Sequence, residues 1–215
     1  MAVVLRDRQG AVEAFDRRWP YVHGTMVEVA CSTLSELREH GEYGTQSAWA
    51  RAQYLGVKLL VDKTGEVAPV LREKQALPAG TRDHVVRDAL HAYVNSTYRS
   101  LRYRMVGAEE GARLDGAESL APLLTAVFAL DCRVRPFNKY LAGELRADPL
   151  SDAAWQADRV LPRLIAVLAG DLAEQHSLFR DVDRVAREHG FADAIEDWQP
   201  DVAWLRGEAE YRAAR

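Results

Sequence analysis

The segment Arg133-Val134-Arg135-Pro136-Phe137-Asn138-Lys139-Tyr140 gathers more chemically useful side chains than any other stretch of the chain. Two guanidinium groups, an ammonium and an amide surround a proline break, with two aromatic rings beside them. Guanidinium and ammonium groups grip phosphate oxygens, and an aromatic ring stacks on a base. Arg135 and Lys139 stand four residues apart, so they face one way if the break is mild. The same residues also suit a basic surface turn with Phe137 buried, and the spacing leaves both readings open. Glu28 falls mid-strand in Thr25-Met26-Val27-Glu28-Val29-Ala30, on the face of Met26 and Ala30. A carboxylate there either covers a solvated sheet face or holds Mg²⁺, which takes oxygen ligands. Asn95, Tyr98, Arg99, Arg102 and Tyr103 share one face of a long helix, as cleft lining or as solvated flank. The six histidines form no metal-spaced pair, no Ser, His and Asp set makes a nucleophilic triad, and the glycines form no phosphate loop.

These residues need elements to position them. Val3-Val4-Leu5 reads as a strand and Ala11 to Arg17 as a short helix closed by Pro20. An apolar strand that opens at the first residue predicts a sheet whose beginning is missing, with an exposed edge. After the strand at 25–30, Ser32 or Thr33 caps a helix from Leu34, with Glu36 in its first turn. Gly41 and Gly44 end it. Ala48 to Leu55 is a further short helix. Val57-Lys58-Leu59-Leu60-Val61-Asp62 reads as a strand, Lys63 to Glu66 as its turn, and Val67 to Ala76 as a helix. Leu77-Pro78-Ala79-Gly80 punctuates the chain, which places an α/β domain over 1–77 and a helical bundle over 81–207. In the bundle, Val85, Val86, Ala89, Leu90, Tyr93, Val94, Thr97, Tyr98 and Leu101 form one helical stripe. Leu120, Leu123, Leu124, Val127 and Phe128 form another, in a helix opened by Ala117 or Ser119. Asn138 to Leu145 follows the break. Val160, Leu161, Leu164, Ile165 and Leu168 make the next stripe, and Leu178, Phe179, Val182, Val185 and Ala186 the last, closed by Gly190. Trp198 and Trp204 staple a terminal loop to the bundle.

Composition narrows the function classes. A chain of 215 residues with net charge −4 has no basic excess to bind nucleic acid through a general electrostatic field. No apolar run approaches the ~20 residues of a membrane span, and no leader precedes the first strand. Cys31 and Cys132 are far apart and read as reduced thiols of a cytoplasmic protein.

Taken in order, several blocks resemble nucleotidyltransferases of the DNA polymerase β superfamily, the group that includes aminoglycoside adenylyltransferase-like enzymes. They are Val27-Glu28-Val29 with Leu34-Ser35-Glu36-Leu37, and Leu59-Leu60-Val61-Asp62-Lys63-Thr64-Gly65. Ala92 to Ser96 with Tyr98-Arg99-Ser100, Arg133 to Leu141, Leu178 to Val182, and Trp198 to Asp201 complete the set. The resemblance implies an α+β fold: an incomplete nucleotidyltransferase sheet with helices, then an all-α bundle. It implies transfer of a nucleoside monophosphate from a triphosphate to a hydroxyl on a small acceptor, with Mg²⁺ held by three acids. Glu28 takes the place of the third acid. The family's Gly-Ser turn and paired acids are absent, and they belong just before Met1. The chain itself is therefore expected to be inactive or impaired, either with a misplaced start, the codons upstream of Met1 encoding the pair, or as a truly short, degenerate relative, the first reading being preferred. By the same resemblance, Arg135, Asn138, Lys139 and Tyr140 meet the nucleotide or acceptor, and Asn95 and Arg99 line the cleft. A different reading makes the chain a non-catalytic helical binding or partner module, with homo-oligomers as one form. The Arg184 to His189 spacing is similar to that of some helical ribonuclease toxins, a third and weaker alternative.

Overall fold

The computed structural model describes residues 2–5, 9–18, 30–78 and 80–211. Glu28 and residues 25–29 of the expected strand lie outside them. The chain is α+β and mostly helical, and it divides into two units, Met1–Ala76 and Leu77–Arg215. No helix among the described residues is long and apolar enough to cross a membrane.

The N-terminal unit holds a two-stranded parallel sheet. Strand β1 (Ala2–Leu5) pairs with β2 (Ala30–Thr33), Val3 opposite Cys31 and Val4 opposite Ser32. Parallel strands need a long crossover, and helix α1 (Gln9–Arg18) lies in that connection. Helix α2 (Leu34–Glu39) starts on a capping box. The Thr33 hydroxyl accepts from the Glu36 N–H at 3.2 Å, and the Glu36 carboxylate accepts from the Thr33 N–H at 2.6 Å. A 3₁₀ turn over Ala48–Tyr54 and helix α3 (Val67–Gln75) follow. Leu34, Leu37, Tyr54, Val70 and Leu71 form the small core, with Val4 and Val67 packed against it.

The strand expected over Val57–Asp62 is not formed. These residues are irregular, and Val57, Leu59, Leu60 and Val61 are exposed. Strand propensity is realised only against a neighbour, and no described strand pairs with this one. Asp62 has another task. Its carboxylate accepts from the N–H groups of Gly65, Val67 and Ala68 at 2.9, 3.1 and 3.0 Å, so it caps α3 from outside the helix. Those bonds, the one from Ala68 foremost, hold its carboxyl below the usual aspartate range.

The C-terminal unit is a helical bundle. Helices α4 (Arg82–Met105) and α5 (Glu109–Leu130) form a long antiparallel hairpin around Gly107, whose φ is +76°. Helices α6 (Asn138–Ala147), α7 (Ala157–Ala169) and α8 (Leu172–Glu188) complete it, with short α9 (Ala192–Glu196) and α10 (Val202–Leu205) at the end. Helix α5 begins at Glu109, well before the expected Ala117 or Ser119, so Pro122 lies mid-helix. Residues 109–116 carry two glycines and little apolar periodicity, and packing onto α4 makes them helical. A Cβ at Gly111 would stand 3.2 Å from the Tyr103 ring, and one at Gly116 3.2 Å from the Ser100 hydroxyl. The expected stripe on α4 is inside, with Val86, Leu90, Val94 and Thr97 fully buried. On α7 the expectation fails in part: Ile165 and Leu168 face outward, while Val160, Leu164 and Val167 fill the core. Trp204 lies in α10 and Trp198 in the turn before it, and their rings pack 5.6 and 5.8 Å from the Tyr98 ring.

Candidate functional site

The α5–α6 connection carries the basic segment. Helix α5 ends with Cys132 in the left-handed region (φ 57°) and with the Arg133 N–H donating to the Phe128 carbonyl at 2.8 Å. The chain then runs extended to Phe137. Val134 and Pro136 are buried, which fastens the segment to the bundle, while Arg135 between them is only partly buried. This break is not mild, so the helical four-residue argument for Arg135 and Lys139 does not apply. Arg133 folds onto α6. It donates to the Asp148 carbonyl at 2.7 Å and bridges the Glu144 and Asp148 carboxylates at 2.8 and 3.1 Å.

Arg135 is different. Its guanidinium donates to the Ala121 carbonyl at 3.1 Å and to the Asn138 side-chain oxygen at 2.5 Å. Its Nε is buried with no partner. Burial pushes its pKa down, and no carboxylate among the described residues pairs with it. A half-buried cation without a counter-ion is unusual, since buried charges are ordinarily paired. Helix α6 starts two residues beyond Pro136. Its first turn has no acid, and Phe137 supplies no side-chain cap. A helix end of this kind presents N–H groups and partial positive charge to an anion. Lys139 and Tyr140 are exposed there, the ammonium 5.3 Å from the ring centroid.

On α4, Asn95 is exposed and Arg99 is already engaged. Arg99 pairs with buried Asp115 through both nitrogens and reaches Glu118 at 3.3 Å, bonds that raise its pKa. Glu118 and Ala121 occupy successive turns of α5, so Arg99 and Arg135 fasten to that helix one turn apart. Arg135, Asn138, Lys139 and Tyr140 form one group at the start of α6. Arg99 faces the same helix as a neutralised neighbour. Tyr98 belongs to the aromatic staple, and Arg102 lies over the Tyr211 ring at 4.3 Å.

Other charged groups are structural. Arg184 bridges Asp152 and Glu188, and the His189 ring pairs with the Val185 carbonyl at 2.9 Å, so both members of the ribonuclease-like spacing are engaged locally. Sequence reasoning missed a buried ionic trio in the N-terminal unit. Arg51 and Lys74 are each 1% exposed and share one carboxylate, Glu42, at 3.5 and 2.6 Å. It also missed an interior polar row in the bundle. There the Tyr93 and Thr97 hydroxyls are buried with only each other to interact with, and the Gln175 amide nitrogen lacks a partner among the described residues. Nothing in residue spacing marked either; the hydroxyls sit on an otherwise apolar stripe.

Mg²⁺ needs a set of oxygen ligands. Among the described residues no three His, Cys, Asp or Glu side chains are grouped to hold a metal, and Glu28, the expected ligand, lies outside them. Compared with family models, curated proteins and solved structures, the chain matches none of them.

Proposed function

We propose that this chain binds the phosphates of a nucleoside triphosphate at the start of α6, as a nucleotidyltransferase-like protein with weak or no transfer activity of its own. The observation that carries this reading is Arg135, a half-buried guanidinium with no carboxylate partner among the described residues. A phosphate oxygen beside the exposed end of the guanidinium would supply the missing counter-charge. Lys139 would add a second cation, and Asn138 would hold the Arg135 fork in place. The exposed Tyr140 ring offers a stacking surface for a base. Transfer to a hydroxyl acceptor requires in-line geometry and charge neutralisation by metals. Glu28 alone is too few acids for that, which is why binding rather than turnover is the expected activity.

Calorimetric titration with ATP tests it, with and without Mg²⁺. Binding is expected in both conditions. Arg135→Ala is expected to weaken it by about tenfold or more, the loss of a charge-assisted bond of ~1.5–3 kcal/mol. Arg135→Lys should recover part of the loss, because it keeps the charge and loses the fork. Absence of binding by the unaltered chain would favour the non-catalytic partner module. Binding only with Mg²⁺ would instead point to a metal-carrying remnant around Glu28.

A further inference from the structure

Near the end of the bundle an open cleft of about 460 Å³ is lined by Met105 of α4, His176 of α8, Trp204 of α10, and Gly207, Glu210 and Tyr211 after it. No lysine or arginine lines it. His176 has a fixed tautomer. Its Nδ1 stands 2.8 Å from the Leu205 carbonyl, which can only accept, so the proton of the neutral ring sits on Nδ1. Nε2 is then a bare acceptor. No described residue bonds it, and it is not buried. Gly207 (φ +72°) holds the ring from one side, since a Cβ there would stand 3.0 Å from the His176 Cγ.

The other lining groups call for the same chemistry. Glu210 is exposed and pairs with no described residue. The Trp204 and Tyr211 rings stand 4.8 Å apart at 63°, and aromatic faces attract cations. Met105, 51% exposed, adds an apolar wall. The cations close by are engaged elsewhere. Arg102 lies over the Tyr211 ring at 4.3 Å, taking one of its faces, with the Asp201 carboxylate as a charged neighbour. Arg104 is held by the Gly170 carbonyl at 2.8 Å and Glu109 at 3.5 Å. Arg180 donates to the Arg206 carbonyl at 2.6 Å, and Arg206 pairs with Asp183 at 2.8 Å and Glu208 at 3.7 Å. A bare acceptor, an unpaired carboxylate and aromatic faces all select a donor that carries positive charge. We infer that this cleft binds a small protonated amine with an apolar body. The ammonium donates to His176 Nε2 with Glu210 as its counter-charge, and the body lies against Trp204 and Met105. The cleft shares no residue with the phosphate site at α6 and takes a ligand of opposite charge.

A ¹⁵N–¹H correlation titration of the full chain with phenethylamine tests the inference. Saturable shifts are expected at the Trp204 indole N–H and at the Gly207 and Glu210 amides, with a dissociation constant in the millimolar range or below. Phenethyl alcohol keeps the ring and loses the charge, and should bind about tenfold or more weakly. Phenylacetate should leave these signals in place. His176→Asn keeps a donor for the Leu205 carbonyl and removes the Nε2 acceptor, so the amine should bind about tenfold more weakly with an unchanged circular dichroism spectrum. Glu210→Lys, on an exposed segment, should weaken it about fivefold or more. Deleting residues 212–215, which include Arg212 and Arg215, should not weaken it. Absence of these shifts with phenethylamine would overturn the inference. So would equal binding of the alcohol, shifts of the same signals by phenylacetate, unchanged affinity in either variant, or weaker binding by the shortened chain.

Discussion

Glu42→Ala is expected to cost the N-terminal unit about 2–4 kcal/mol and to unfold it under conditions where the bundle survives. Two cations, Arg51 and Lys74, are buried almost completely, and among the described residues Glu42 is the carboxylate bonded to both. Removing one partner of a buried pair leaves an uncompensated charge, which is the expensive kind of loss. Glu42 is itself about one-third exposed (36%), so water can enter and the cost falls below that of a fully buried pair. The remaining bonds are not enough to replace it. Arg51 still donates to the carbonyls of Gly41, Glu73 and Ala76, and Lys74 to that of Arg38. Those bonds join α2, the 3₁₀ turn and α3, so losing their charge balance loosens all three. Urea titration followed by hydrogen exchange at the Val70 and Leu71 amides reads the effect. Lys74→Met should cost less than Glu42→Ala, because it removes a charge instead of stranding one. Equal protection in the Glu42→Ala chain and the unaltered chain would contradict this account of the unit.

In the bundle, Phe179→Ala is expected to cost about 3–5 kcal/mol. The side chain is fully buried, and its ring stacks near Tyr93 at 6.1 Å between centroids and 23° between planes. The truncation therefore removes apolar burial, a ring pair and the packing of α8 on α4 at one position. It also opens a cavity beside the buried Tyr93 and Thr97 hydroxyls. Water entering there could satisfy them and trim the loss. Burial is what pushes the Tyr93 hydroxyl pKa well above the ordinary tyrosine range. A hydrated cavity would bring it back toward that range, so ultraviolet titration of tyrosine gives a second readout. Phe179→Leu should cost about 1.5 kcal/mol or less, since it keeps most of the volume. A loss below about 1 kcal/mol for Phe179→Ala would mean that α8 does not rest on this contact.

What the sequence made legible was local. Thr33 and Glu36 stand at capping-box spacing, and the structure contains both bonds. The α4 stripe, from Val85 to Leu101, was readable because its period is that of a helix with one dry face. What stayed hidden depends on partners remote in sequence. Residues 57–61 have the composition of a strand, but a strand is a property of a pair, and composition cannot supply the neighbour. Helix α5 begins where Gly111 and Gly116 let it approach α4, a contact that no periodicity records. Ile165 and Leu168 obey the same period as Val160 and Leu164, so the pattern could not say which stripe faces the core. The site divides in the same way. The basic segment at 133–140 stood out by residue type. That Arg133 is neutralised by Glu144 and Asp148, Arg99 by Asp115 and Glu118, and Arg135 by neither follows only from the hairpin register and the course of the break.

The central claim is that Arg135 and the start of α6 form an anion site awaiting a phosphate. Its most direct test is a ¹⁵N–¹H correlation titration of the full chain with inorganic pyrophosphate. The account predicts saturable shifts of the Asn138, Lys139 and Tyr140 amides and of the Arg135 Nε–H, all lost in Arg135→Ala. Amides of α6 that stay in place, or that move equally when Arg135 is gone, would contradict it.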